Sequence, residues 1–231
     1  CSRVLVRKEI RSLTPAELNA YIAAATKLEQ ETANNAHDWL TAVHLAHKQQ
    51  THSTSLFFPW HRWMMNLYQI QLHRIDPNVT LPYWDWSADA HSMESAPVFS
   101  IWGGNGLASY SSATDAGNGA GGGMVDVQNP CIADGPLANV IRAIGPTGTP
   151  HCLSRNFNAG NTIYGVYDHA YMINLVQHSA TFNDIWRGVE NGPHSAIHYG
   201  IGSTMATLQS PNDPIFFLHH TFVDKLWDDW Q

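Results

Sequence analysis

Apolar residues recur at three- and four-residue intervals in several stretches of this chain, the spacing that puts them on one face of a helix. Leu18, Tyr21, Ile22, Ala25 and Leu28 form the first such stripe. Thr14-Pro15-Ala16-Glu17 ahead of it reads as a capping box with proline at the first helical position, with Leu13 and Leu18 as its hydrophobic staple. A second periodic stretch runs from Asp38-Trp39-Leu40 to Val43-His44-Leu45. From His61 to about Asp76, Met64, Leu67, Tyr68 and Leu72 line one face, and Pro77 closes the segment. The final helix is expected from roughly Asp213 to Trp230. Between Gly103 and Gly123 the chain is rich in Gly, Ser, Ala and Asn, which reads as a long surface loop and not as a linker between domains.

Composition places these helices in one ordinary core: 231 residues with 44% hydrophobic content suffice, and nine tryptophans supply aromatic filling. No apolar run approaches a membrane span. The formal net charge of -7 comes from scattered carboxylates, and no basic stripe is present to attract phosphate, so neither membrane nor nucleic acid is an expected partner. A chain beginning at Cys1 and carrying the sequon Asn78-Val79-Thr80 suggests a processed protein.

The histidines change the picture most. Fourteen is a high count, and taken singly most read as core or surface residues. Six stand at ligand spacings. His194 and His198 are four apart just after Pro193, which favours a helix start, so both rings lie on one helical face within reach of one metal. A third ligand comes from another helix, where adjacent His219 and His220 point about 100° apart, so only one of them should share that metal. In the first third of the chain, His44 on a helix, His52 in a polar connector and His61 at the opening of the next helix can close a second site. Ligation by imidazole alone suits copper, zinc or iron, and the absence of a CxxC pair argues against structural zinc.

The stretches His52-Ser-Thr-Ser-Leu-Phe-Phe-Pro-Trp-His61-Arg62, Leu81-Pro-Tyr-Trp-Asp-Trp-Ser87 and Ser210-Pro-Asn-Asp-Pro-Ile-Phe-Phe-Leu-His-His220 closely resemble the signatures of the tyrosinase, catechol oxidase and molluscan haemocyanin family of coupled dicopper proteins. The resemblance implies a mainly α fold, a four-helix bundle holding the dicopper centre with long irregular loops and little β structure, and a single domain over residues 1–231. It also implies His44, His52 and His61 as ligands of the first copper and His194, His198 and His220 as ligands of the second, which selects His220 over His219. Many fungal and molluscan relatives bond a cysteine to the second ligand; Gln50 stands at that position, so no thioether is expected. Cys131 and Cys152, around a Gly/Pro-rich loop, look like a disulfide pair of secreted fungal members, while Cys1 lacks the partner those relatives place on the first helix. Relatives usually continue beyond the position of Gln231, so the chain reads as trimmed of a tail or shielding domain.

The implied activity is oxidation of o-diphenols (catechols) to o-quinones with reduction of O2 to water, on small phenolic substrates. Hydroxylation of monophenols is linked in tyrosinases to an asparagine after the second site's first histidine and to an upstream carboxylate. Ser195 takes the asparagine position, and Asp184, with Glu190 as a second possibility, takes that of the carboxylate, so monophenolase activity is expected to be weaker. Thr207 occupies the position of a bulky gate in some plant catechol oxidases and should leave the second copper open. Asp213 and Asp224, near His220, are the expected acceptors that fix imidazole tautomers. Oxidation of o-aminophenols and reversible oxygen carriage of the haemocyanin type are the alternatives.

Overall fold

Thr14 and Glu17 cap each other's backbone as expected, and helix α1 (Pro15–Glu29) follows with Tyr21, Ala25 and Leu28 buried. The computed structural model describes residues 4–31, 35–107, 129–138 and 140–231; Cys1 and most of the Gly-rich stretch lie outside the described residues. Asn35 accepts from the amides of His37 and Asp38 and starts helix α2 (Ala36–Thr51). Helix α3 (Phe57–Ile75) begins one turn ahead of His61, because Pro59 falls in the first turn, where its missing N–H costs nothing. Then come the short α4 (Pro97–Trp102), α5 (His169–His178), α6 (Phe182–Val189), α7 (Ser195–Ile201) and α8 (Ile215–Trp230). The only sheet among the described residues is a two-stranded antiparallel pair, β1 (Ile141–Arg142) and β2 (His151–Cys152), with Ile141 opposite Cys152. No described helix is long and apolar enough to cross a membrane.

Helices α2, α3, α7 and α8 form the four-helix bundle around the histidines. Between α3 and α8, Tyr68 stacks on Phe217 at 3.7 Å between centroids and Phe58 on Trp227 at 5.3 Å. Such aromatic pairs are each worth about 0.5–1.5 kcal/mol beyond the apolar area they bury. Helix α6 does not simply stop before α7. It runs into a π turn (Glu190–His194) containing Pro193, with Gly192 at φ -99° and ψ -109°. Gly192 is non-helical and breaks the run, so Pro193 stands just after a kink between two helical segments, as expected of a proline that favours a helix start. Gly202 ends α7 at φ +73°, where a Cβ would lie 2.1 Å from the Asn156 carbonyl oxygen, so a side chain is excluded.

Two buried charge pairs tie this bundle to the surrounding chain. Arg155 grips Asp213 through two of its three guanidinium nitrogens, Nε to Oδ2 at 2.7 Å and Nη2 to Oδ1 at 3.0 Å, with both side chains fully buried. Asp213 Oδ1 also accepts from the amide of Ile215, the first residue of α8. On the far side, Glu29 accepts from Arg142 at 2.5 Å and stands 3.0 Å from His37 Nε2, linking α1, β1 and α2.

Cys131 and Cys152 are disulfide-bonded across 21 residues, and both are buried. By the loop-entropy argument, closing a loop of that size stabilises the fold by about 3 kcal/mol. Cys152→Ser should therefore lower the unfolding free energy by about 3 kcal/mol in urea denaturation, and an unchanged midpoint would show that the bridge adds nothing.

Candidate metal centre

Each sequence-predicted histidine reaches the bundle interior from a different local device. His44 lies mid-α2, His52 caps the C-terminus of α2, and His61 faces inward from the second turn of α3. Ring centroids of these three lie 5.0 to 5.8 Å apart. His194 closes the π turn, His198 follows one turn later on α7, and His219 and His220 sit on α8. Within each of two groups, His44/His52/His61 and His194/His198/His219/His220, one ring nitrogen per residue lies within 4.8 Å of the others. The groups share a wall: His61 stacks nearly parallel on His220 at 4.3 Å, and Phe57 packs on both His61 and His194 at 4.8 Å.

The tautomers follow from the partners. Nδ1 of His44, His52, His61, His194 and His198 lies 2.7 to 3.2 Å from the carbonyl oxygens of Leu208, Lys48, Phe57, Glu190 and Met205 respectively. A carbonyl only accepts, so each Nδ1 carries the proton and each Nε2 presents a lone pair. The Nε2 atoms of His44, His61 and His194 are buried without a partner among the described residues, and those of His198 and His220 face each other at 3.3 Å. Buried, unpartnered lone pairs aimed at common points are costly in the protein alone and are what a metal ion requires. Asp213 and Asp224 do not accept from these rings: Asp213 is taken by Arg155, and Asp224 by Arg7 and Arg62. Backbone carbonyls orient five of the rings instead, while Nδ1 of His220 is buried without a hydrogen-bond partner among the described residues.

Loss of hydration pushes the imidazoles toward the neutral, ligating form. His44 falls to about 3 and His198 to about 4, burial being the main cause in each, while His61, His194, His219 and His220 fall well below the ordinary histidine value and His52 falls as well. The linkage has a definite sign. In the unfolded chain these histidines take up protons near pH 6.5, and in the folded protein only far below it, so the unfolded state binds more protons in between. Stability of the metal-free protein is thus full above about pH 6.5 and is lost as pH falls through about 4 to 3. Thermal melts of metal-free protein between pH 7.5 and 4.5 should show a falling Tm; a flat profile would contradict neutral burial.

A cleft of about 310 Å³ opens onto both groups. His44, His52, His194 and His198 reach it, with Ser53, Glu190, Ser195 and Thr207 around them and exposed Tyr199 at its rim. Glu190 is the carboxylate of this cleft. Its Oε1 accepts from the Ser53 amide at 2.6 Å and its Oε2 from Trp186 Nε1 at 2.5 Å, and burial raises its pKa above the ordinary carboxylate value. Asp184 stands elsewhere: it forms the capping box of α6 with Thr181 and borders a different surface hollow beside Asn183 and Arg187. Ser195 Oγ donates to the Glu190 carbonyl at 2.7 Å, and Thr207 Oγ1 donates to the Thr204 carbonyl at 2.9 Å. Ser53 and Trp186 were not foreseen from the sequence. The four-residue step from Trp186 to Glu190 was a visible signal; the Ser53 contact spans 137 residues and had none.

A family model described as the common central domain of tyrosinase matches residues 26–231. Among curated proteins, a tyrosinase-like protein of Diaporthe leptostromiformis is 32% identical over 257 residues, across 100% of this chain and 64% of its own length. A tyrosinase of Streptomyces antibioticus is 31% identical over 234 residues, across 98% of this chain and 82% of its own. A variant of the polyphenol oxidase from Thermothelomyces thermophila superposes with a TM-score of 0.76 at 25% identity, covering 100% of this chain and 71% of that one. A functional unit of octopus hemocyanin shares the fold, with a TM-score of 0.61 at 20% identity over 98% of this chain and 53% of its own. The chain spans less than two thirds of the length of the first of these curated relatives.

Proposed function

From the premise that this chain belongs to the tyrosinase family, we propose that it is a copper-dependent oxidase of phenols that turns o-diphenols into o-quinones while O2 is reduced to water. One observation carries the reading: two groups of inward-facing imidazoles, five of them with Nε2 lone pairs freed by backbone acceptors, open onto one cleft. All-nitrogen sites with no sulfur ligand suit copper. In this reading His44, His52 and His61 hold one ion and His194, His198 and His220 the other. His220 is preferred to its neighbour because its Nε2 faces that of His198 and its ring lies against His61, whereas His219 stacks on His194 and turns toward Trp86. Two copper ions held there would supply the redox chemistry by which oxygen accepts the two electrons that each catechol gives up.

The chain's own residues bind, orient and move protons. A catechol losing two electrons also loses two protons, and Glu190, held at both oxygens and with a raised pKa, is the group at the cleft that can take one from a phenolic hydroxyl. Asp184 is already committed to Thr181, so the base role falls to Glu190. Ser195 spends its hydroxyl proton on the Glu190 carbonyl and is too short to hold a water against the carboxylate as an asparagine amide could. That favours catechols over monophenols. Thr207, tied back to Thr204, leaves the mouth open to ring-substituted phenols. The disulfide suits an oxidising compartment, so we read the protein as secreted.

Oxygen uptake by copper-loaded protein tests the preference. Uptake should be rapid on catechol, slower on a simple monophenol primed with a trace of catechol, and slower on o-aminophenol. A primed monophenol rate equal to the catechol rate would overturn the assigned weakness of the Glu190 and Ser195 pair, and uptake on o-aminophenol alone would overturn the substrate class.

A further inference from the structure

Ser53 is one of two non-glycine residues with positive φ among the described residues, at φ +57°. A left-handed backbone at a residue bearing a Cβ is unfavourable and persists only where its surroundings over-determine it; such positions collect at functional sites. The surroundings here are specific. On one side of Ser53 is His52, whose ring is held by the Lys48 carbonyl. On the other, Thr54 Oγ1 donates to the Gln50 carbonyl at 2.6 Å and accepts from the amide of Leu56, and the Thr54 carbonyl accepts from Phe57 N–H at the start of α3. With both flanks fixed, the left-handed turn leaves the Ser53 amide facing the π turn, where it donates to Glu190 Oε1 at 2.6 Å. The Ser53 side chain is exposed and has no part in that bond.

We propose that Ser53 is a positioning residue: its left-handed turn aims the backbone amide at Glu190 and fixes that carboxylate over the cleft. The loop that carries His52 of the first histidine group is thereby tied to the proton-accepting residue on the segment that carries the second. With Trp186 holding the other oxygen, the carboxylate has one fixed orientation, and what Ser53 contributes is conformation, not its hydroxyl. The inference rests on the assignment of Glu190 as the base of a phenol oxidase, but the contact itself can be tested without copper or substrate.

In the metal-free protein, amide hydrogen exchange at residue 53 should be about tenfold to a hundredfold faster in Glu190→Met than in the parent, the equivalent of losing a charge-assisted hydrogen bond. In the copper-loaded protein, Ser53→Val, a β-branched residue that resists positive φ, should lower kcat on catechol by about tenfold or more with KM little changed. Ser53→Asn and Ser53→Gly, which accept the left-handed region, should restore the parent rate. Unchanged exchange at residue 53 in Glu190→Met overturns the proposal, as does parent-like kcat in a folded Ser53→Val. Should Ser53→Val not fold, the exchange measurement still decides. A parent protein that oxidises no phenol would overturn the functional reading while leaving the exchange result to judge the contact.

Discussion

His198→Ala should reduce bound copper from two ions per chain to one and cut catechol oxidation to below about one hundredth of the parent rate. The magnitude is a lower bound, since removing even an outer hydrogen-bond partner of a metal ligand costs about 10- to 100-fold in affinity or activity. In the proposed triad with His194 and His220, His198 supplies one of three Nε2 atoms; it is anchored by the Met205 carbonyl at 2.7 Å and faces His220 Nε2 at 3.3 Å. An alanine leaves two imidazoles from that triad, too few to close a tight site around a copper ion. His178→Ala is the matched control: that histidine is exposed on α5, bonded to the Asn174 carbonyl, and should change neither copper content nor rate. Metal analysis after gel filtration reads the first quantity and oxygen uptake the second. Two coppers per chain retained in His198→Ala would remove it from the ligand set and turn attention to His219, whose nitrogens lie within the same group.

Asp213→Ala should destabilise the fold by about 3–5 kcal/mol, the usual cost of leaving one partner of a buried ion pair alone, which for a domain of this size is a Tm decrease of roughly 6–20 °C. Arg155 would then be buried with no counter-charge, keeping only the carbonyls of Trp102, Gly103 and Gly104 as acceptors. The amide of Ile215 would lose its acceptor in the same step. Because α8 carries His219 and His220, copper affinity should fall along with stability. A double variant, Arg155→Met with Asp213→Leu, removes both charges and should recover much of the lost stability, since apolar pairs often replace buried ion pairs without penalty. A Tm within a degree of the parent for Asp213→Ala would show that the pair is not what holds α8 in place.

Much of this centre could be read from residue spacing, and what could not was main-chain geometry. His194 and His198 at i and i+4 announced a shared helical face, and the Thr14 capping box announced α1. The carbonyls of Leu208, Lys48, Phe57, Glu190 and Met205 that fix the imidazole tautomers are invisible in a sequence, because every residue has one and only the fold decides where it points. Asp213 and Asp224 looked like the orienting groups by proximity to His220, yet each is captured by arginines distant in sequence: Arg155, 58 residues before Asp213, and Arg7, 217 residues before Asp224. The stretch before His194 was legible in part. Pro193 follows a break at Gly192, as a proline opening a helical segment should, but spacing could not show that Glu190 and not Asp184 borders the cleft. Asp184, six residues earlier than Glu190, is spent on a cap.

Titration of metal-free protein with copper, with catechol-dependent oxygen uptake measured at each addition, tests the central claim most directly. Two cooperating sites predict negligible uptake in chains holding one ion, a rise as the second is filled, and a plateau at two coppers per chain. Full activity at one copper per chain, or no uptake at two, would contradict a paired centre built from His44, His52, His61, His194, His198 and His220.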